Sequence, residues 1–203
     1  MFVKICGLST EQHIGAAVEA GADAVGFVFA ESVRRVQPGR AASLGNKLPG
    51  TVRKVAVMLH PTNDEWQAVL AEFVPDVLQT DAEDFAQLDV PAHVECWPVY
   101  REGNRVTDTF RGGLKVPVTS FLYEGARSGQ GQAVNWSTAA VLAGNGNMIL
   151  AGGLGVDNVA DAIAAVRPFG VDVSSGVESA PGEKDSRKIR EFISAAKAAG
   201  NNL

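Results

Sequence analysis

Short apolar runs recur along the chain, and most are followed by a stretch with helical spacing. The eight runs are Phe2–Cys6, Ala24–Phe29, Val52–Leu59, Asp76–Gln79, His93–Val99, Ser120–Glu124, Met148–Ala151 and Gly170–Ser174. Several are almost continuously apolar, as expected of strands covered on both faces. Between them, Ser9-x-x-Gln12 and Thr62-x-x-Glu65 each match a capping box at a helix start. Trp66, Val69, Leu70 and Phe73 then follow i, i+3, i+4, i+7, and Ile189, Phe192, Ile193 and Ala196 repeat a single-face pattern near the C-terminus. Arg101–Gly113 is polar and contains glycine, which predicts a degenerate helix or a loop.

Strands alternating with helices imply a parallel sheet built from βαβ units. Eight units within 203 residues fit a minimal (β/α)8 barrel, a TIM-type α/β architecture, spanning 1–203 as one domain. An open doubly wound sheet is the competing layout. Its GxGxxG signature after the first strand is absent, since the chain reads Cys6-Gly7-Leu8-Ser9 there.

Composition narrows the function. The chain is 46% hydrophobic and 20% charged, ordinary for a globular domain with a full core. Its 23 acids against 18 Lys and Arg give −5 with no basic block, so no nucleic acid is expected as a partner. Cys6 and Cys96 form no CxxC, which argues against a disulfide framework or a zinc ribbon. No signal-like core opens the chain, and no run reaches the roughly 18 apolar residues of a membrane span. A cytoplasmic protein is the expectation.

Barrel chemistry sits where the strands end. That rule selects Lys4 and Cys6 from the first strand, Arg34 and Arg35 from the loop after the second, and Gln79-Thr80-Asp81 from the fourth. It also selects Glu124 before the GARSGQGQ stretch, Gly152-Gly153, and Asp172 with Ser174-Ser175-Gly176. The two glycine- and serine-rich turns after strands 7 and 8 can aim backbone N–H groups at an anion, although glycines also simply make tight turns. Cys6 is either a small core hydrophobe or a catalyst whose pKa the neighbouring Lys4 would lower. Cys96, among apolar neighbours, reads as packing. Glu124 is either a solvated loop opener or a general acid raised by partial desolvation. His13, His60 and His93 show no ligand spacing, so no metal is implied.

These residues resemble the phosphoribosylanthranilate isomerase family. VKICGLST is close to that family's first strand and turn, GADAVGFVF to its second strand, and Arg35–Pro38, or the register Arg34-Arg35-Val36-Gln37-Pro38, to its Arg-Val-x-Pro loop. LAGGLGVDNVADAI and RPFGVDVSSGVESAPGEKD are the sharpest matches, and the resemblance thins between about Gln79 and Thr119. It implies a cofactor-free Amadori rearrangement of a small phosphosugar in tryptophan biosynthesis, by a monomer or homodimer. Cys6 would then be the base, and Glu124 stands where the family places its acid. Arg34 would meet the anthranilate carboxylate, with Arg35 as the other candidate. Asp172 would face the ribose, Lys4 would contact substrate or tune Cys6, and Gly152, Gly153, Ser174, Ser175 and Gly176 would hold the phosphate.

Three departures fall on the acid side. The family's acid is usually Asp, where this chain has Glu124. Its Gln-Leu-His-Gly strand end is here Leu78-Gln79-Thr80-Asp81, so a supporting His near Thr80 is missing. The loop usually written Gly-Gly-x-Gly before Phe-Asp-Trp reads Ser128–Gly131 before Val134-Asn135-Trp136. Together they suggest a diverged subgroup. A related isomerase acting on the histidine-pathway or both aminoaldoses would need a second phosphate turn, and Leu59-His60-Pro61 offers none. A non-catalytic phosphate-binding barrel has only the Glu124 change in its favour.

Overall fold

The computed structural model describes residues 1–103, 118–127, 131 and 133–202. Eight parallel strands close in sequential order: β1 (Phe2–Cys6), β2 (Ala24–Val28), β3 (Arg53–Val57), β4 (Val77–Asp81), β5 (Glu95–Arg101), β6 (Phe121–Glu124), β7 (Met148–Leu150) and β8 (Gly170–Val173). The ring is sealed where β1 pairs with β8, with Lys4 opposite Asp172. Among the described residues six α-helices surround it: α1 (Glu11–Glu19), α2 (Pro38–Gly45), α3 (Asn63–Glu72), α4 (Trp136–Ala143), α5 (Val159–Val166) and α6 (Ser186–Gly200). The α/β barrel expected from the strand rhythm is therefore the observed fold.

Strand alternation sorts side chains between two apolar regions. Ala24, Val55, Val77, Trp97, Val99, Leu122 and Ile149 fill the interior. Val3, Ile5, Phe27, Leu78 and Leu150 point outward and meet helical residues such as Trp66 and Phe192. Nearer the C-terminal ends polar residues join the lining, among them Lys4, Gln79, Asp81, Glu124 and Asp172, beside apolar ones such as Val57 and Ala151.

Local chemistry explains most element boundaries. Thr62 and Glu65 form the expected capping box at α3. At α1 the cap is Thr10, whose side chain accepts from the His13 backbone, and not Ser9. Strand β5 begins and ends later than the His93–Val99 expected from hydrophobicity. A turn in which the Val94 N–H bonds to the Pro91 carbonyl precedes it, so His93 lies outside the strand. At the far end Tyr100 and Arg101 continue the ladder with Tyr123 and Glu124. The remainder of the expected degenerate stretch, 104–113, lies outside the described residues. A small antiparallel hairpin, β9 (Glu178–Ala180) and β10 (Glu183–Lys184), follows β8 and was not legible as strands.

Leu122 is completely buried in the barrel interior. Leu122→Ala should lower stability by about 2–5 kcal/mol, read as a shift of the urea unfolding midpoint at constant m-value.

Candidate active site

The strand ends surround a cleft of about 200 Å³. Cys6, Arg34, Glu124, Asp172, Gly152, Gly153, Ser174 and Ser175 all line it, so residues scattered through the sequence converge there. Gly176 lines the adjoining groove together with Gly153 and Ser175. Lys4 lies beneath, completely buried. Arg35 is exposed and acts electrostatically on Glu65 of α3, leaving Arg34 as the cleft-lining member of the pair.

The turns after β7 and β8 require glycine for steric reasons. Gly153 has φ of 65°, and a Cβ there would stand 2.7 Å from the Ala133 backbone. A Cβ on Gly176 would collide with the Leu154 carbonyl oxygen. The two turns are thus packed backbone against backbone. Asn158, just before α5, braces the first by accepting from the Gly155 N–H at 2.9 Å and donating to the Gly153 carbonyl at 2.9 Å. Such a glycine- and serine-rich cradle beside a helix start suits an anion.

Beneath the cleft, at the β1–β8 seam, Lys4 Nζ donates to Asp172 Oδ1 at 2.9 Å. Burial pulls the Lys4 amine down, but Asp172 and Cys6 outweigh it and the net shift is upward. The Cys6 thiol moves the other way from expectation. Burial pushes it up, and the nearby Lys4 only partly offsets this. Lys4 therefore does not make Cys6 more acidic than an ordinary thiol; desolvation of a thiolate costs more than one neighbouring cation returns.

A second ionic group holds Arg34. Its Nε and Nη2 donate to the two oxygens of Glu178 at 2.6 and 2.9 Å. Lys184 Nζ donates to Glu178 Oε1 at 2.7 Å and to the Ser174 carbonyl at 2.8 Å. Burial alone would push the Glu178 carboxyl up; hydrogen bonds from Arg34 and Lys184 prevail and hold it at about 2. The hairpin thus ties the Arg34 loop to the β8 turn. Glu178 and Lys184 were visible only as letters in a family-like motif, with no indication that they pair.

A third group crosses the ends of β4, β5 and β6. Arg101 donates to Asp81 through Nη2 at 2.6 Å and Nε at 3.1 Å, and its Nη1 lies 3.4 Å from Glu124 Oε1. His60 adjoins Asp81 at 3.3 Å and hydrogen-bonds with Asp84 at 3.0 Å. His60, Asp81 and Glu83 bring their ligand atoms within 4.8 Å of one another, a convergence no sequence spacing announced. Gln79 completes this side of the cleft, its buried Oε1 having no hydrogen-bond partner among the described residues. Residues 128–130 of the altered loop lie outside the described residues.

A parallel barrel with a thiol, a carboxyl and an anion cradle around one cleft has the layout of a barrel enzyme for small phosphorylated molecules. Comparison with known proteins makes this specific. The family described as N-(5'phosphoribosyl)anthranilate (PRA) isomerase matches residues 3–195. The chain is 40% identical over 218 aligned residues to the N-(5'-phosphoribosyl)anthranilate isomerase of Bordetella pertussis, covering 97% of this chain and 95% of that one. The phosphoribosyl anthranilate isomerase of Thermus thermophilus superposes with a TM-score of 0.83 at 29% identity, covering 98% and 99% of the two chains. Another isomerase of this name, solved with reduced 1-(o-carboxyphenylamino)-1-deoxyribulose 5-phosphate, gives 0.79 at 29% identity with the same coverage. The chain belongs to the N-(5′-phosphoribosyl)anthranilate isomerase family.

Glu178 gives a pH test. Its carboxyl is depressed from an ordinary 4.5 to about 2, so its stabilising pairing is fully present above 4.5 and is lost as pH falls toward 2. Glu178→Gln should be less stable than the parent at neutral pH, and the gap between their urea midpoints should narrow across that acid window.

Proposed function

We propose that this protein catalyses the Amadori rearrangement of N-(5′-phosphoribosyl)anthranilate to 1-(2-carboxyphenylamino)-1-deoxyribulose 5-phosphate in tryptophan biosynthesis. The observation that carries the assignment of roles is the convergence of Cys6, Glu124, Arg34 and both glycine-rich turns on one cleft. The phosphate sits against the turns bearing Gly152, Gly153, Ser174, Ser175 and Gly176. Arg34, its guanidinium oriented by Glu178, meets the anthranilate carboxylate. The sugar is thereby held between Cys6 on β1 and Glu124 on β6, and anchoring at both ends turns binding energy into orientation.

Glu124 donates its proton to the furanose ring oxygen as the bond from that oxygen to C1′ breaks, leaving a protonated Schiff base. Cys6, as thiolate, removes the C2′ proton. The electron pair of that C–H bond forms the C1′–C2′ double bond of an enolamine, which tautomerises to the aminoketose. One proton is given and one taken, with no net oxidation. Lys4 offsets part of the cost of the Cys6 thiolate, and its pairing with Asp172 keeps its ammonium beside the sulfur. Asp172 and the unpartnered Gln79 Oε1 offer acceptors for ribose hydroxyls. The proposal extends to a cytoplasmic monomer or homodimer. Among the described residues no helix is long and apolar enough to cross a membrane.

The test is turnover of freshly generated phosphoribosylanthranilate, followed as decay of its anthranilate-type fluorescence. The parent should consume it, and Cys6→Ala and Glu124→Ala should each lose at least about 10²-fold in kcat, the scale of one general acid or base. Because burial raises the Cys6 thiol, kcat/KM should still climb with pH across the neutral range. Folded parent protein that leaves the fluorescence unchanged would sink the proposal.

A further inference from the structure

The acid–base scheme leaves the charged group at the ends of β4, β5 and β6 without a task. Arg101 is the last residue of β5 and lies opposite Glu124 in the β5–β6 register. Asp81 ends β4, is almost completely buried, and takes two guanidinium nitrogens in a fork. That geometry fixes the plane of the guanidinium, because two parallel hydrogen bonds leave it little freedom to rotate. The third nitrogen, Nη1, is buried without a hydrogen-bond partner among the described residues and stands 3.4 Å from Glu124 Oε1.

Asp81 is braced in turn. His60 Nε2 lies 3.3 Å from its carboxylate. Asp84 holds His60 by accepting from its backbone N–H at 3.2 Å and bonding its ring at 3.0 Å, and the Thr80 hydroxyl donates to Asp84 at 2.5 Å. The bracing therefore runs through four strand ends and stops at Glu124.

We infer that Arg101 is a positioning residue for Glu124, its guanidinium clamped by Asp81 so that Nη1 sets where the Glu124 carboxyl stands and faces the negative charge left when that carboxyl gives up its proton. This rests on the reading of Glu124 as the proton donor. Exposed ion pairs contribute little, but here both side chains are mostly buried and the cation is already immobilised, with relative exposures of 12% and 15%. Glutamate has one more rotatable bond than aspartate, so it gains more from a fixed neighbour. Misplacement by about 1 Å can cost about 10²-fold in rate. A cation preset where charge develops assists the transition state more than the ground state.

The experiment is steady-state kinetics of Arg101→Met and Arg101→Lys, each alone and combined with Glu124→Asp, which retains a carboxyl to measure. Arg101→Met should lower kcat by about 10- to 100-fold while KM changes less than about threefold, and Arg101→Lys should recover part of the loss. Combined with Glu124→Asp, Arg101→Met should cost much less than it does alone, because the two act as one unit. Unchanged kcat, a loss confined to KM, or fully additive losses would overturn the inference. Should Arg101→Met fail to fold with Asp81 left buried and unpaired, Arg101→Met/Asp81→Asn removes both charges. A folded double variant with the same kcat deficit supports the inference, and full turnover overturns it. The reading of Glu124 fails separately, if Glu124→Ala turns over like the parent.

Discussion

A fully buried ammonium is tolerable in a protein interior only beside a partner, and Lys4 finds its partner directly across the seam that closes the barrel. Strand β1 is the first strand and β8 the last, and their register sets Lys4 opposite Asp172. The 2.9 Å bond between them spans 168 positions of chain. A slip of one residue would turn Lys4 out into the apolar layer under the helices, where nothing could satisfy its charge. The same register places Cys6 beside Lys4 on the inner face and brings the Ser174 hydroxyl to the Cys6 carbonyl at 3.2 Å. Closure of the fold and assembly of the basic side of the site are consequently one event.

Charge is organised around the cleft in three separate groups with different duties. Lys4 and Asp172 control the surroundings of the thiol. Glu178 and Lys184 hold Arg34 and the β8 turn through a hairpin, so the two ends of the bound molecule would meet groups that are already tied together. Asp81 and Arg101 brace Glu124 from the neighbouring strands. The turns after β7 and β8 are packed so closely, backbone against backbone, that only glycine fits at Gly153 and Gly176. Cys6 and Glu124 stand on strands, while Arg34 and the two turns are held by ion pairs and close backbone packing, which suits chemistry that depends on orientation.

Much of this was legible beforehand. Apolar runs alternating with helical patterns revealed the barrel, because strands buried on both faces must be apolar. The strand-end rule selected Cys6, Glu124 and the two turns, and the structure brings them to one cleft. Other features were hidden for definite reasons. The end of β5 was misplaced because Arg101 is charged, and hydrophobicity cannot see a charge that is met by Asp81 from the next strand. Ser9 and Thr10 are equally good caps by residue type, and only backbone geometry selects Thr10. The shift of the Cys6 thiol depends on how completely it is desolvated, which a neighbouring Lys at i−2 does not reveal.

The amino-acid sequence by itself determined the order and kind of elements, the inward or outward sense of each strand position, and which residue types stand at the mouth. These are properties of short segments, set by periodicity, propensity and steric need. Tertiary structure decided which of those residues pair: Lys4 with Asp172, Arg34 with Glu178 and Lys184, and Arg101 with both Asp81 and Glu124. It also decided that Arg34, not Arg35, reaches the cleft. Such choices follow from strand register and burial, which arise only when distant segments close into one ring, and the strength of each charge depends on the solvent that this closure excludes.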